Sequence, residues 1–202
     1  MLYSKLILLL LLLFSCLPLL AASWLVDHNN SSAWFAVGYL GNGQVKGRLA
    51  VQAGRVEFDR QAQLAQGEIG FDMNSVQTGR SNLDHFIKSA SIFDSANYPD
   101  MRFRAMRLEF DGLRLQAAHG ELQLRGVTRP VRLEVKRLSC ADQLPHLFES
   151  GRNLDDNLER AYCQAEFVTS ISRSQFGMDA YSLLVKDEVD IAAQLVLQRM
   201  AP

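Results

Sequence analysis

The fold is decided by the stretch Gly120-Glu-Leu-Gln-Leu-Arg-Gly-Val-Thr-Arg-Pro-Val-Arg-Leu-Glu-Val135. Apolar residues alternate with polar ones on both sides of its centre, and these apolar residues are Leu122, Leu124, Val131, Leu133 and Val135. Alternation with a period of two is typical of strands with one buried and one solvated face. The run 125–130 contains a glycine, which tolerates positive φ, and a proline, which we expect to stop the first strand. The stretch therefore predicts a β-hairpin.

The same alternation recurs along most of the chain and predicts an all-β protein. Candidate strands cover residues 24–27, 33–40, 44–51, 54–59, 67–75, 101–110, 112–118, 120–125, 131–138, 163–173 and 186–198. Gly41-Asn-Gly43 and Asp111-Gly112 are typical of tight hairpin turns. A series of antiparallel strands with little else to cover it favours a closed barrel, because closure removes the exposed edges.

One segment departs from the strand pattern. Apolar residues with helical spacing follow Ser81, namely Leu83, Phe86, Ile87 and Ala90. Ser81 as N-cap and Asp84 three residues later predict a capping box. The segment 81–90 is therefore predicted to be a short amphipathic helix that covers the barrel. A second, weaker helical pattern lies at residues 154–162.

The N-terminal residues have the composition of a secretory leader. Lys5 provides a basic start, residues 6–14 are apolar, and small residues at 21–23 suit a cleavage site. We therefore assign 1–23 as a cleaved signal peptide and 24–202 as one exported β-barrel domain. Two alternatives stay open. Cys16 is a candidate for lipid attachment, which the bulky Phe14 disfavours, and the apolar run is nearly long enough to remain as a membrane anchor.

Charge and motifs exclude several classes of function. The chain has 21 Lys and Arg against 22 Asp and Glu, and loss of Lys5 leaves 20 against 22, a net charge of −2. A polyanion-binding protein needs an excess of basic residues, so we predict no nucleic-acid partner. The sequence contains neither a Gly-x-Ser-x-Gly nor a His-Glu-x-x-His motif, and its 4 histidines are scattered. We therefore predict neither an enzyme nor a metal site.

Two cysteines, Cys140 and Cys163, remain once the leader is removed. An even pair in an exported chain predicts a disulfide. It would close the loop 141–162 and contribute roughly 3 kcal/mol by the loop-entropy model. The wide spacing does not match a Cys-x-x-Cys redox motif.

The sequence resembles the YceI family. The stretch from Gly120 to Val131 matches the family's Gly-x-Leu-Thr-x-x-Gly-Val-Thr-Lys-Pro-Val block. Further blocks follow in the family's order: Trp24-Leu-Val-Asp27, Ser75-Val-Gln-Thr-Gly79, Tyr98-Pro-Asp-Met-Arg-Phe103 and Arg173-Ser-Gln-Phe-Gly-Met178. Histidines of the family are replaced by Asn30, Tyr39 and Phe86, so roles that depend on those histidines do not carry over.

The resemblance implies an extended, lipocalin-like antiparallel barrel whose interior binds a long isoprenoid chain. The apolar residues alone favour a solid packed core, and the resemblance shifts the prediction to a tubular apolar cavity. With the resemblance, we predict ligand contacts from Phe35, Val37, Tyr39, Phe71, Leu83, Phe86, Phe103, Leu122, Leu124, Leu133 and Val135. We place the head group near Asn74, Ser75, Thr78 and His85.

The function predicted from this resemblance is that of a periplasmic carrier for a polyisoprenoid or quinone-type lipid, with no other cofactor. The alternative is an accessory protein of an envelope electron-transfer system, which binds quinone beside a membrane cytochrome. The sequence determines neither the ligand's identity nor the oligomeric state.

Overall fold

A computed structural model describes residues 22–59, 63–112, 114–141 and 162–200. Of the leader predicted at 1–23, residues 1–21 lie outside this range, and the last two residues belong to a strand. Of the helical pattern predicted at 154–162, residues 154–161 lie outside this range, and Tyr162 begins a strand. The strands are β1 Ala22–Val26, β2 Ser32–Tyr39, β3 Gly43–Val51, β4 Arg55–Asp59, β5 Leu64–Gln77, β6 Asp100–Asp111, β7 Arg114–Leu124, β8 Val127–Ala141, β9 Tyr162–Ser172 and β10 Val185–Arg199. Helix α1 spans Ser81–Lys88, and a 3-10 turn spans Arg173–Phe176.

The strands form a closed antiparallel barrel with eight strands around its circumference, which confirms the predicted fold class. Strands β5 to β10 are neighbours in chain order. The remaining gap between β10 and β5 is filled by β2 and β3 at one end and by β1 and β4 at the other. The first four strands therefore act as one long hairpin that is interrupted at residues 27–31 and 52–54.

The two ends of the barrel differ. The helix end carries α1, the 3-10 turn and the turn between β7 and β8. The opposite end, named here the cysteine end, contains β1, β4 and the paired residues Cys140 and Cys163. Among the described residues, no helix is long and apolar enough to cross a membrane.

The β7–β8 hairpin forms as predicted but has a shorter turn. Arg125 and Gly126 alone connect the strands, with φ of 51° and 73°, and Pro130 lies inside β8 opposite Glu121. Hydrogen-bonded and non-hydrogen-bonded pairs alternate along the hairpin, starting with a hydrogen-bonded pair next to the turn. By this count Pro130 and Glu121 form a pair without hydrogen bonds, so the nitrogen of Pro130 points away from β7. The first register pair between β8 and β9 lies beyond it, at Glu134. The proline therefore costs no ladder bond, and the expectation that it ends a strand was wrong.

Strand β7 is continuous where the sequence suggested two strands, at 112–118 and 120–125. Gly120 lies in its middle, paired with Ala105 on β6 and Val131 on β8. A Cβ on Gly120 would clash with the backbone carbonyl oxygen of Arg104 and would come within 2.6 Å of the Phe103 ring. The glycine therefore allows close approach of the β6 backbone and of an aromatic ring, and it does not mark a turn.

Helix α1 begins without the predicted capping box. Its N-cap is Arg80, which makes no side-chain cap, and Ser81 is already helical. The carboxylate of Asp84 instead accepts hydrogen bonds from the backbone N–H of Thr78 at 2.7 Å and from its hydroxyl at 2.6 Å. These bonds hold the pKa of Asp84 below its usual value. Asp84 therefore ties the helix to the end of β5, not to its own first turn.

Candidate ligand-binding site

An apolar cavity of about 250 Å³ lies inside the barrel at the cysteine end. No Asp, Glu, Lys or Arg is among the described residues of its wall. The wall consists of Trp24, Val56, Ala65, Ile69, Phe103, Ala105, Leu108, Phe110, Leu115, Ala118, Leu133, Leu138, Cys163, Ala165, Phe167, Leu195 and Leu197. A cavity of this size and composition is near the lower limit of small-molecule binding sites, and it favours an apolar ligand.

The cavity exists because small residues occupy inward positions on its wall. Ala65, Ala118 and Ala165 are almost fully buried, and each stands where a leucine or phenylalanine would fill the space. Sequence reasoning searched for large apolar side chains and missed this signal. The sequence does show alanines at strand positions whose side chains face the lumen on β5, β7 and β9.

A second cavity of about 80 Å³ lies beneath α1 at the helix end. Its wall includes Ile87 of the helix and the rings of Phe35 and Phe93, whose centroids are 5.9 Å apart in an edge-to-face contact. A space of this size holds a few atoms at most. The larger cavity is therefore the better candidate for a ligand site.

The predicted contact residues fall into separate groups. Phe103 and Leu133 border the large cavity, whereas Phe35 and Leu124 border the small one. Four others border neither cavity and are only half-buried or exposed: Val37, Tyr39, Leu83 and Phe86. The remaining three are buried but also border neither cavity: Phe71, Leu122 and Val135.

Helix α1 closes the helix end and does not contact the large cavity. Phe86 is 41% exposed, and its ring meets Tyr181 at 5.3 Å between centroids. Ile87 is the buried residue of the helix, at 6% exposure. A lid role for Phe86 over the large cavity does not fit this geometry, because the helix covers the opposite end.

The hydroxyls predicted to meet a head group form part of the protein's own hydrogen-bonding network. Ser75 donates to the carbonyl of Asp72 at 2.6 Å and accepts from the N–H of Ala50 at 2.7 Å. Thr78 donates to Asp84, as described above. These bonds fasten β3, β5 and α1 together at the helix end.

Replacing Ile87 with aspartate is expected to destabilise the protein by about 2–4 kcal/mol, because the carboxylate would be buried among apolar groups. The matched change Phe86→Asp is expected to cost about 1 kcal/mol, since Phe86 is 41% exposed and the carboxylate can reach water. Urea unfolding of both variants measures the difference. Equal costs for the two changes would contradict the assignment of the buried face.

Arg173 is a buried cation at the helix end, with 6% exposure. Its guanidinium donates to the carbonyls of Ala180 at 2.8 Å, Lys186 at 3.1 Å and Val185 at 3.2 Å, and also to that of Met178. The side chain thus holds the loop 177–184 against β10. Sequence reasoning listed Arg173 only as part of a family block and did not anticipate this role.

The register of β8 and β9 places Cys140 directly opposite Cys163. Cα atoms of directly opposed residues in antiparallel strands lie about 4.5–5.5 Å apart, which is within the range for a disulfide. Cys163 is buried and borders the large cavity.

Charged residues cluster on the outer wall, away from both cavities. Glu109 accepts hydrogen bonds from Arg132 at 3.0 and 3.2 Å and lies 2.7 Å from His119. Arg132 and His119 lower the pKa of Glu109 to about 2. No group of three or more metal-ligating side chains occurs in the described part of the chain.

Residues 24–197, which include both cavity walls, match the family model of the YceI-like domain. The chain belongs to the YceI-like family. Protein YceI of Escherichia coli O157:H7 is 30% identical over 134 residues, which cover 65% of this chain and 70% of that protein. The predicted family is therefore confirmed.

Solved structures of the same fold support the YceI-like barrel. BcnA of Burkholderia cenocepacia superimposes with a TM-score of 0.61 at 20% identity, covering 85% of this chain and 98% of that chain. A polyisoprenoid binding domain from Saccharophagus degradans superimposes with a TM-score of 0.54 at 17% identity, covering 89% and 98%. At these identities the likeness concerns the fold alone.

Proposed function

We propose that this YceI-like protein binds an amphipathic lipid and holds its isoprenoid tail in the 250 Å³ cavity at the cysteine end. The observation that carries the proposal is that the described wall of that cavity is mostly apolar and contains no charged side chain. Burial of a tail contributes about 0.8 kcal/mol per methylene, so affinity requires no polar contact inside the barrel. The polyisoprenoid binding domain of Saccharophagus degradans, which has the same fold, supports the isoprenoid class.

We further propose that the protein acts as a carrier in the periplasm after removal of its leader. Strand β1 begins at Ala22, and the hydroxyl of Ser23 donates to Glu57. Cleavage before Ala22 would keep the described part of this strand in the mature protein. A lipid anchor at Cys16 is the competing arrangement, and intact mass of the mature protein distinguishes the two.

The test is a lipid extract and an ultraviolet–visible spectrum of the protein purified from its native host without detergent. We expect an isoprenoid lipid at close to one molecule per protein. Quinone absorbance would favour the alternative role beside a membrane cytochrome, whereas a colourless prenyl lipid favours the carrier. Absence of any lipid, combined with no binding of added isoprenoid alcohols, would overturn the proposal.

We propose that Cys140 and Cys163 form a disulfide at the cysteine end, supported by their direct opposition on β8 and β9. Protein from the periplasm is expected to resist alkylation unless it is first reduced. Reduction, or the double change to alanine, is expected to lower the free energy of unfolding by roughly 3 kcal/mol, because the loop 141–162 is released. Two thiols alkylated without reduction in fresh material would contradict the pairing.

A further inference from the structure

The two cavities do not join, because a packed layer of side chains lies between them. The layer consists of inward-facing residues that are buried and border neither cavity: Ala33, Val51, Phe71, Leu122 and Ala193. Phe71 and Leu122 are its two large members. The other three are small, so these two side chains provide most of its bulk.

On three strands, a residue of the layer lies between a residue of the large cavity and a residue of the small one. On β5, Phe71 lies between Ile69 of the large cavity and Met73 of the small one. Inward residues of a strand follow one another at every second position. At successive inward positions, β5 therefore has a residue of the large cavity, a residue of the layer and a residue of the small cavity.

Strands β7 and β10 repeat this order. Leu122 on β7 lies between Ala118 of the large cavity and Leu124 of the small one. Ala193 on β10 separates Leu195 from Ile191 in the same sense. On each of these three strands a layer residue therefore lies between the cavities. On β6, Met101 of the small cavity and Phe103 of the large one are consecutive inward residues, so that strand contributes no side chain to the layer.

We infer that Phe71 and Leu122 limit the length of the ligand's tail to about ten carbons, which is two isoprene units. This inference rests on the proposed function. An engineered apolar cavity of 150 Å³ holds benzene, or roughly 25 Å³ per carbon. At that density the 250 Å³ cavity accommodates about ten carbons. The ligand's head group then lies toward the cysteine end, because the layer and α1 close the other direction.

Removal of the Phe71 ring joins the cavities and lengthens the pocket. The lost ring frees about 150 Å³ by the benzene measure. Together with the cavities of 250 and 80 Å³, the lumen would reach about 480 Å³, enough for about nineteen carbons. The Phe71→Ala variant should therefore prefer a tail of four isoprene units over one of two.

The test compares geraniol, with ten carbons, and geranylgeraniol, with twenty, by competition against a fluorescent apolar probe on the full mature protein. We expect the wild type to favour geraniol at least tenfold and Phe71→Ala to reverse that preference. Leu122→Ala should shift it in the same direction and serves as a second variant if Phe71→Ala does not fold. Phe176→Ala is the matched control, because Phe176 is also a buried phenylalanine but lies outside the layer and borders neither cavity.

The outcomes separate this inference from the proposed function. If the wild type binds both alcohols equally well, or if neither layer variant changes the ratio, then the lumen is not limited by this layer and the inference fails. If Phe176→Ala shifts the ratio as strongly as Phe71→Ala, loss of stability is the cause and the inference also fails. If the wild type binds neither alcohol, both the proposed function and this inference fail.

Discussion

Replacing Ala165 with phenylalanine is expected to empty the lipid cavity without unfolding the barrel. Ala165 is 1% exposed and lies on the wall of the 250 Å³ cavity. The added ring occupies about 150 Å³, the volume of a cavity that holds benzene. Because the ring enters existing space, we expect a stability change below about 1.5 kcal/mol. Bound lipid should fall to less than about a tenth of the wild-type amount, since too little volume remains for a tail.

The matched control for this change is Ala192→Phe. Ala192 lies on β10 between Trp34 and Val168, and it points outward because its neighbours Ile191 and Ala193 belong to the core. The same substitution there adds the same ring to the outer wall, so lipid content should be unchanged. Lipid content and thermal melting are measured for both variants. Full lipid occupancy in Ala165→Phe would mean that the tail lies elsewhere.

Replacing Arg173 with methionine is expected to destabilise the protein by about 3–5 kcal/mol. Methionine fills similar space but removes the donors for four carbonyls, those of Met178, Ala180, Val185 and Lys186. Each buried acceptor left without a donor costs about 1–3 kcal/mol, and the more exposed ones recover bonds to water. Urea unfolding measures the change.

Arg125→Met provides the comparison for Arg173. Arg125 also bridges carbonyls, those of Ala90 and Gly177, but both bonds are exposed. Water can replace its donors, so we expect a loss of about 1 kcal/mol or less. A cost for Arg173→Met as small as that for Arg125→Met would show that burial does not govern the role of Arg173.

The strands of the barrel could be predicted from the sequence because the pattern that indicates a strand lies within a short segment. Alternation of apolar residues defines each strand and its inward face, and Phe35, Phe71, Phe103, Leu122 and Leu124 are all buried as alternation predicted. Alternation alone only favours closure of the sheet into a barrel, and the resemblance to the YceI family then predicted that closure. The turn residues were less reliable, since Pro130 and Gly120 both lie inside strands. A strand tolerates a proline or a glycine only where the neighbouring strand makes no hydrogen bond to that residue or packs closely against it. The local sequence does not encode these features of the neighbouring strand.

The division of the lumen was not predictable in the same way. Whether an inward side chain borders a cavity depends on the size of the side chains that face it across the barrel. The register of all eight strands determines which side chains these are. Phe71 and Phe103 have the same residue type and both face inward, yet only Phe103 borders the large cavity. For the same reason, the predicted contact Leu124 borders the small cavity. A tryptophan there should overpack the helix end, at a cost of about 1–3 kcal/mol.

Photo-crosslinking tests the central claim most directly. Geraniol carrying a diazirine on its terminal isoprene unit is irradiated with the delipidated native protein, and the labelled peptides are sequenced by mass spectrometry. We expect adducts on the wall of the large cavity, at residues such as Leu133, Phe167 and Leu195, and their loss when unlabelled geraniol is in excess. Saturable labelling that is confined to α1 or to the outer wall around Trp34 would contradict a lipid site inside the barrel.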